Sequence, residues 1–151
     1  MRSVVSAIFV LLTMCTGASC ASGIDAKVPD QQSIDALVAK ASQATAREQN
    51  FIYAEVVHEM TELSLRQYAA GDVEKAIDLL KQVQQLARKI HLSMAINDKR
   101  LKNAQILLRH TAFRLTEMLR SSSYEDRPLV AETLAQVSQA QTEAMLQVFR
   151  K

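Results

Sequence analysis

A chain of 151 residues has room for one domain of ordinary size, and a hydrophobic content of 48% is enough to bury a core. Only 3 glycines and 2 prolines occur among residues that mostly favour helices, so the composition predicts an all-α fold. The 18 basic and 16 acidic side chains nearly balance, which argues against a protein that binds nucleic acid or an anionic membrane surface.

The N-terminal segment has the pattern of a secretory signal peptide. Arg2 precedes an apolar run over residues 4–14 that is too short to span a bilayer, and small residues follow this run. Cleavage after Ala21 places small residues where a leader peptidase recognises them, so residues 1–21 are expected to be the signal peptide. Loss of Arg2 leaves 17 of the 18 basic residues against 16 acidic ones, a net charge of +1.

Both cysteines, Cys15 and Cys20, lie in this leader, so the mature chain is expected to form neither a disulfide nor a thiolate metal site. Cys20 follows small residues, and its lipidation would anchor the protein to a membrane. We therefore expect a periplasmic or secreted bacterial protein, with a lipoprotein anchored through Cys20 as the alternative.

The first part of the mature chain reads as a lead-in followed by a long helix. Residues 22–32 contain a glycine, a proline and no apolar periodicity, which indicates a flexible lead-in. From Ser33, a candidate N-cap, apolar residues recur at helical spacing to about residue 70. A helical domain is expected over residues 33–151.

Gly71 and Asp72 are predicted to form the first corner. Glycine suits the left-handed conformation that ends many helices, and aspartate can cap the helix that follows. The residues around this corner resemble a tetratricopeptide repeat over about residues 57–90. The resemblance rests on the corner itself and on Leu63, Ser64 and Ala76. It departs from the family at Gln67, which holds the family's tyrosine position, with Tyr68 one residue later.

This resemblance implies that a small Ala76 lets the second helix approach the first closely. Such repeats normally occur in sets of three or more, because one repeat cannot bury its faces alone. No second copy is visible in the sequence, so an isolated repeat-like hairpin is expected without the family's peptide-binding groove.

A strict 3-4 apolar alternation follows the corner and continues for seven heptads from Val73 to Met118. Twelve of its fourteen positions are apolar, which predicts one coiled-coil-like helix to about residue 120. This helix would be about 72 Å long at the usual rise per residue. The alternative is a break near residues 93–98, where Ser93, Asn97 and Asp98 are all able to cap a helix.

Residues 121–128, Ser-Ser-Ser-Tyr-Glu-Asp-Arg-Pro, indicate a second corner, and Pro128 suits the first turn of a last helix. Short corners join helices that fold back antiparallel. The predicted fold class is therefore all-α, as an elongated antiparallel three-helix bundle or long helical hairpin.

Glu55 and His58 have the Glu-x-x-His spacing that places two metal ligands on one helical face, with Glu59 and Glu62 nearby. Carboxylate-bridged metal sites need a second such motif, and the sequence has none. We therefore expect no metal site or cofactor, and interpret these acids as a face that is either solvated or salt-bridged across helices, level with Lys81, Arg88 and Lys89. A metal- or small-ligand-binding bundle at Glu55, His58, Glu59 and Glu62 is the alternative.

No nucleophile has a base beside it in a recognisable motif, and no glycine-rich phosphate loop occurs, so catalysis is not expected. The predicted function is a structural or protein-interaction role in the bacterial envelope. The expected partner is another protein or a second copy in a homodimer, through an apolar stripe on the long helix that includes Ile77, Leu86, Ile106, Leu107 and Leu119. No contact with nucleic acid is expected, and none with a membrane beyond a lipid anchor.

Overall fold

The computed structural model describes residues 29–93 and 100–150 of the chain. It contains α1 (Gln31–Gln43), α2 (Ala46–Ala69), α3 (Val73–Ser93), α4 (Leu101–Ser121) and α5 (Arg127–Phe149). The all-α prediction is confirmed, and no strand occurs in the part of the chain that is described. The predicted signal peptide, Cys20, Asn97 and Asp98 lie outside the described residues.

Helices α2 to α5 form a four-helix bundle built from two hairpins. Helix α2 packs against α3 and α4, and α5 packs against the same two helices, so α3 and α4 lie on a diagonal of the bundle. Helix α1 packs on the outside of α2. The corners after α2 and after α4 meet at one end of the bundle, because the Tyr68 hydroxyl lies 2.8 Å from the Asp126 carboxylate. Helix α2 therefore runs parallel to α4, and α3 runs parallel to α5.

The single helix predicted from Val73 to about residue 120 is wrong. This stretch holds the antiparallel helices α3 and α4, and Arg100, just before α4, has a left-handed φ of 59°. One 72 Å helix would have put the two corners at opposite ends, whereas they touch. The alternative of a break near residues 93–98 agrees with an α3 that ends at Ser93.

The apolar face of that stretch was nevertheless identified. Its described heptad positions are buried from Ala76 onward, namely Ala76, Leu80, Val83, Ala87, Ile90, Leu101, Ala104, Leu108, Thr111, Leu115 and Met118. Each of the two helices turns the same 3-4 stripe towards the common core. A continuous apolar phase is therefore compatible with a reversal of the chain, and the predicted three-helix architecture is replaced by a four-helix bundle with α1 outside it.

The first predicted helix is also divided. Ala44 and Thr45 are extended, with ψ of 153° and 150°, and separate α1 from α2. The side-chain amide of Gln49 donates to the Ala41 carbonyl at 2.9 Å and so satisfies one acceptor at the end of α1.

Helix α1 begins earlier than predicted, because Asp30 is its N-cap in place of Ser33. The Asp30 carboxylate accepts a hydrogen bond from the Ser33 amide at 2.7 Å, and the Ser33 hydroxyl accepts one from the Asp30 amide at 3.2 Å. Ser33 is thus the third helical residue of a capping box. The last two residues of the predicted lead-in are helical.

The first corner has the geometry that the glycine suggested. Gly71 has a φ of 89°, its amide donates to the Tyr68 carbonyl, and the Asp72 amide donates to the Gln67 carbonyl. These two bonds make a Schellman motif, which satisfies the last carbonyls of α2. Asp72 precedes α3, and its carboxylate lies 3.4 Å from Lys75 Nζ.

Helices α2 and α3 approach closely just after this corner. Ala76 is fully buried, and its carbonyl accepts a hydrogen bond from the buried Ser64 hydroxyl at 2.9 Å. The small side chains of Ser64 and Ala76 allow the two backbones to come within reach of such a bond. At the second corner, Pro128 lies in the first turn of α5, as predicted.

Polar side chains join one hairpin to the other. On the α2 to α4 side, His58 contacts Thr111 and Glu62 contacts Arg114. The contacts between α3 and α5 are Gln84 with Thr133, Arg88 with Glu132 and His91 with Gln139. These directional contacts fix the register of one hairpin on the other, which apolar packing alone specifies less strictly.

The apolar stripe predicted to mediate association is mostly covered. Leu86, Leu107 and Leu119 pack against the core, and Ile77 is half-buried. Of these five residues, Ile106 is the exposed one. The stripe was expected to be exposed because three helices cannot cover it, and the division into α3 and α4 supplies the missing cover. Among the described helices, none has an apolar stretch long enough to cross a bilayer.

Candidate functional site

A cleft of about 440 Å³ opens between α1, α2 and α4. Its size falls in the range of pockets that hold small organic molecules. It is lined by Ser33, Ala36, Leu37 and Lys40 from α1, by Glu55, His58 and Glu59 from α2, and by Leu107 from α4.

The amphipathic pattern of α1 builds one wall of this cleft. Ile34 and Ala41 are fully buried and hold α1 on α2. Leu37 lies between these two anchors in sequence, packs against the core and lines the cleft together with the exposed Ala36 and Lys40. The wall is therefore apolar near α2 and carries a positive charge at its edge.

Three of the four predicted ligand residues lie together in the cleft. Glu55, His58 and Glu59 are spaced at i, i+3 and i+4, so they share one face of α2 and line the same space. Glu62 is used elsewhere, because its two carboxylate oxygens accept hydrogen bonds from Arg114 at 2.7 and 3.1 Å.

Glu62 of this acidic face pairs with α4 and not with the α3 cations Lys81 and Arg88. Arg114 of α4 pairs with both Glu62 and Glu117, and the hydrogen bonding that Arg114 donates to Glu62 is the main reason that the pKa of Arg114 is raised. Arg88 pairs with Glu132 at 2.9 Å. The Lys89 ammonium lies 2.6 Å from the Tyr53 hydroxyl and 4.3 Å from the centre of its ring.

The tautomer of His58 follows from its hydrogen bond to Thr111. The Thr111 hydroxyl donates to the Leu107 carbonyl at 2.9 Å, so it can only accept from His58 Nδ1, which lies 3.1 Å away. Nδ1 therefore carries the proton of the neutral ring, and Nε2 is left as an acceptor. Burial lowers the pKa of His58, and nearby His110 and Arg114 lower it further, while Glu62 raises it.

Glu55 brings a half-buried carboxylate to the cleft. Its Oε2 is shut off from solvent and has no hydrogen-bond partner in the described structure. The carboxylate stands between the main cleft and a smaller one that Phe51 and Arg100 also line. The Arg100 guanidinium stacks over the Phe51 ring at 3.6 Å. Carboxylate oxygens that are shut off from solvent usually accept hydrogen bonds, so the unpartnered Oε2 marks Glu55 as a candidate ligand group.

The cleft is suited to binding rather than to metal chemistry. Within residues 29–93 and 100–150, no group of three or more His, Cys, Asp or Glu side chains is placed to hold a metal ion. The one hydroxyl on its wall, that of Ser33, donates to the Asp30 carbonyl at 2.9 Å. What the cleft offers is an apolar wall, two carboxylates, an imidazole acceptor and the Lys40 ammonium at its edge.

The sequence pattern identified the α2 side of the cleft and missed the rest. Leu37 and Lys40 lie on α1, which the sequence pattern joins to α2, and Leu107 lies on α4, which the pattern joins to α3, so the pattern does not place them beside Glu55 and His58. A signal for the break exists in Thr45-Ala46-Arg47-Glu48, which has the Ser/Thr-x-x-Glu pattern of a helix start.

Comparisons of the chain with family models, with curated proteins and with solved structures gave no match.

Proposed function

We propose that this chain is an exported helical protein of the bacterial envelope that acts by binding a protein, foremost a second copy of itself, without catalysis. The leader pattern of residues 1–21 supports export, and a lipid anchor at Cys20 is the alternative attachment. The resemblance of residues 57–90 to a tetratricopeptide repeat is consistent with a scaffold role and adds no binding groove.

The observation that carries the proposal is a group of exposed apolar side chains at one end of the bundle. Leu92 is 83% exposed, Met145 37%, Leu146 55% and Phe149 78%. Since α3 and α5 are parallel neighbours, their C-terminal turns lie at the same end. We call these four residues the C-terminal apolar patch.

Exposed apolar groups of this kind mark protein contacts more often than isolated ones do. Three of the four lie within the last five residues of α5, so the same segment of a second copy is able to pack against them across a two-fold axis. A dimer of this kind buries the large side chains of Leu146 and Phe149.

Sedimentation equilibrium of the purified protein tests the proposal. We expect a dimer for the wild type and for Phe113→Glu, since Phe113 is 61% exposed on α4 and lies outside the patch. Phe149→Glu should give a monomer, because it places a charge in the proposed interface. A wild type that stays monomeric and retains no envelope protein on an affinity column would overturn the proposal.

The cleft between α1, α2 and α4 favours a second function, the binding of a small molecule. Its carrying observation is the unpartnered carboxylate oxygen of Glu55 beside an apolar wall of Leu37 and Leu107. This function is independent of self-association, because the cleft is lined by α1, α2 and α4 and the patch by α3 and α5. The two can therefore be tested separately on the same protein.

A further inference from the structure

We propose that the cleft between α1, α2 and α4 binds a small organic cation, a primary ammonium on a short aliphatic chain. The inference rests on the second proposed function, the binding of a small molecule, and adds the chemical class of the ligand.

The polar groups that face the ligand are acceptors. Glu55 contributes a carboxylate whose Oε2 has no hydrogen-bond donor among the described residues, and the terminal torsion of a glutamate is soft enough to turn this oxygen towards a ligand. His58 contributes Nε2, because Nδ1 donates to Thr111. A ligand that accepts hydrogen bonds would leave these groups unsatisfied, whereas an ammonium donates three.

The charge of the cleft favours a cation. Its lining residues include the carboxylate of Glu55, whose Oε2 is unpartnered, and the ammonium of Lys40. Lys40 is exposed on α1 at the edge of the cleft, so solvent screens its charge. The low pKa of His58 keeps the imidazole neutral at neutral pH, so it does not offset the charge of Glu55.

The apolar wall of the cleft would contact the hydrocarbon part of the ligand. Ala36, Leu37 and Leu107 present apolar surface to the same space. A short alkyl chain would cover this surface while its ammonium meets Glu55. A divalent metal ion suits the cleft less well, because no three ligating side chains among the described residues are placed to hold one.

Titration calorimetry with four probes tests the ligand class. The probes are hexylammonium, the neutral hexanol, the anionic hexanoate and Mn²⁺ alone. We expect hexylammonium to bind the purified wild-type protein at least about tenfold more tightly than hexanol, since a good charged hydrogen bond contributes about that factor. Hexanoate and Mn²⁺ should give no saturable heat.

Two variants and one control assign the binding to the cleft. Glu55→Gln keeps the shape of the side chain and removes its charge, and it should weaken hexylammonium binding at least about tenfold. Ala36→Trp should fill the space from the exposed face of α1 and abolish binding. Glu74→Gln removes the same charge from an exposed position on α3 and should bind as the wild type does.

The unliganded melting temperature separates a ligand site from a structural role for Glu55. Glu55→Gln should melt at the wild-type temperature or above it, because it removes the charge from a group whose Oε2 has no donor. Unchanged hexylammonium binding in this variant, or a large fall in its melting temperature, would overturn the inference.

The other probes distinguish the ligand class from the function on which it rests. Tighter binding of hexanol, hexanoate or Mn²⁺, lost in Ala36→Trp, would overturn the ammonium and leave a ligand-binding cleft. Absence of binding for all four probes would overturn both, and neither result would alter the dimer measured by sedimentation.

Discussion

The Tyr68 hydroxyl joins the two corners of the bundle through Asp126. It donates to the Asp126 carboxylate at 2.8 Å and accepts a hydrogen bond from the Ser123 amide at 2.9 Å. The same carboxylate accepts from the Ser123 hydroxyl at 2.7 Å. One phenol on α2 thereby holds the turn that starts α5.

Tyr68→Phe should lower the free energy of unfolding by about 1–2 kcal/mol, because it removes a hydrogen bond to a charged group and leaves its partners to water. Urea denaturation measures the change. Tyr124→Phe is the matched control, since Tyr124 is 90% exposed, and it should leave the midpoint unchanged. Equal midpoints for Tyr68→Phe and the wild type would show that the corners are held by apolar packing alone.

Gly71→Val should destabilise the protein by at least about 1 kcal/mol through backbone strain. An added Cβ meets no atom within 4 Å, so the φ of 89° is the sole cause expected. Gly71→Asn should cost less, because asparagine tolerates the left-handed region better. Thermal melts of both variants check this, and equal losses for Val and Asn would point to a cause other than φ.

Gln84 and Thr133 form a buried polar pair between α3 and α5, with the Gln84 amide donating to the Thr133 hydroxyl at 2.9 Å. Thr133→Val should lower the free energy of unfolding by about 1–3 kcal/mol. The buried Gln84 amide would lose its Thr133 acceptor and keep only the longer contact to the Leu129 carbonyl at 3.4 Å. The double variant Gln84→Met, Thr133→Val should cost less than the sum of the single changes. Strict additivity in a double-mutant cycle would mean that the pair has no coupling.

His58 should make the protein less stable in mild acid. Its pKa is lowered in the folded state, mainly by burial, so the unfolded chain binds the proton more readily. The stability that the neutral His58 ring contributes is therefore fully present above the ordinary histidine pKa of about 6.5. It is lost as the pH falls through the pKa that His58 has in the folded protein. The groups that surround the ring are Glu62, His110 and Arg114, with Glu55, Glu59 and Lys40 along the cleft.

Melting temperatures between pH 5 and pH 8 test this dependence. His58→Asn keeps a donor near Thr111 and removes the titration, so it should flatten the curve over this range. The exposed His110 provides the control, and His110→Asn should keep most of the slope. A His58→Asn curve parallel to that of the wild type would assign the acid sensitivity to other groups.

Export predicts a mature N-terminus at Ser22, because residues 1–21 have the leader pattern. Mass spectrometry of the protein recovered from the envelope decides the point. A chain that retains Met1 would contradict export through this leader, and a diacylated Cys20 would establish the lipoprotein alternative.

Local patterns predicted the helical content and both corners, because Gly71 and Pro128 act through their own backbone geometry. They also identified the buried face of residues 76–118. Local patterns do not predict that the chain reverses between α3 and α4. The two helices share one heptad phase, and a stripe of apolar residues does not show whether successive helices run in the same or in opposite directions. Residues 94–99, which lie between α3 and α4 in sequence and outside the described residues, contain neither glycine nor proline.

The candidate site shows the same limit. The spacing of Glu55, His58 and Glu59 placed them on one face of α2, and the cleft contains all three. Glu62 fits that spacing too, yet its partner Arg114 is 52 residues away. Whether a residue on this face pairs with a cation or lines a cavity depends on the helix that packs beside it. The sequence of α2 alone does not reveal which helix that is.

The pairing of helices also sets the order in which the chain can assemble. Each hairpin joins helices that are neighbours in sequence, so its loop closes at low entropic cost and on a fast timescale. Contacts such as Tyr68 with Asp126 span 58 residues and form only when the two halves dock. Substitutions at these polar contacts should therefore act mainly on the docking step, and those at Ser64 or Ala76 on the earlier formation of a single hairpin.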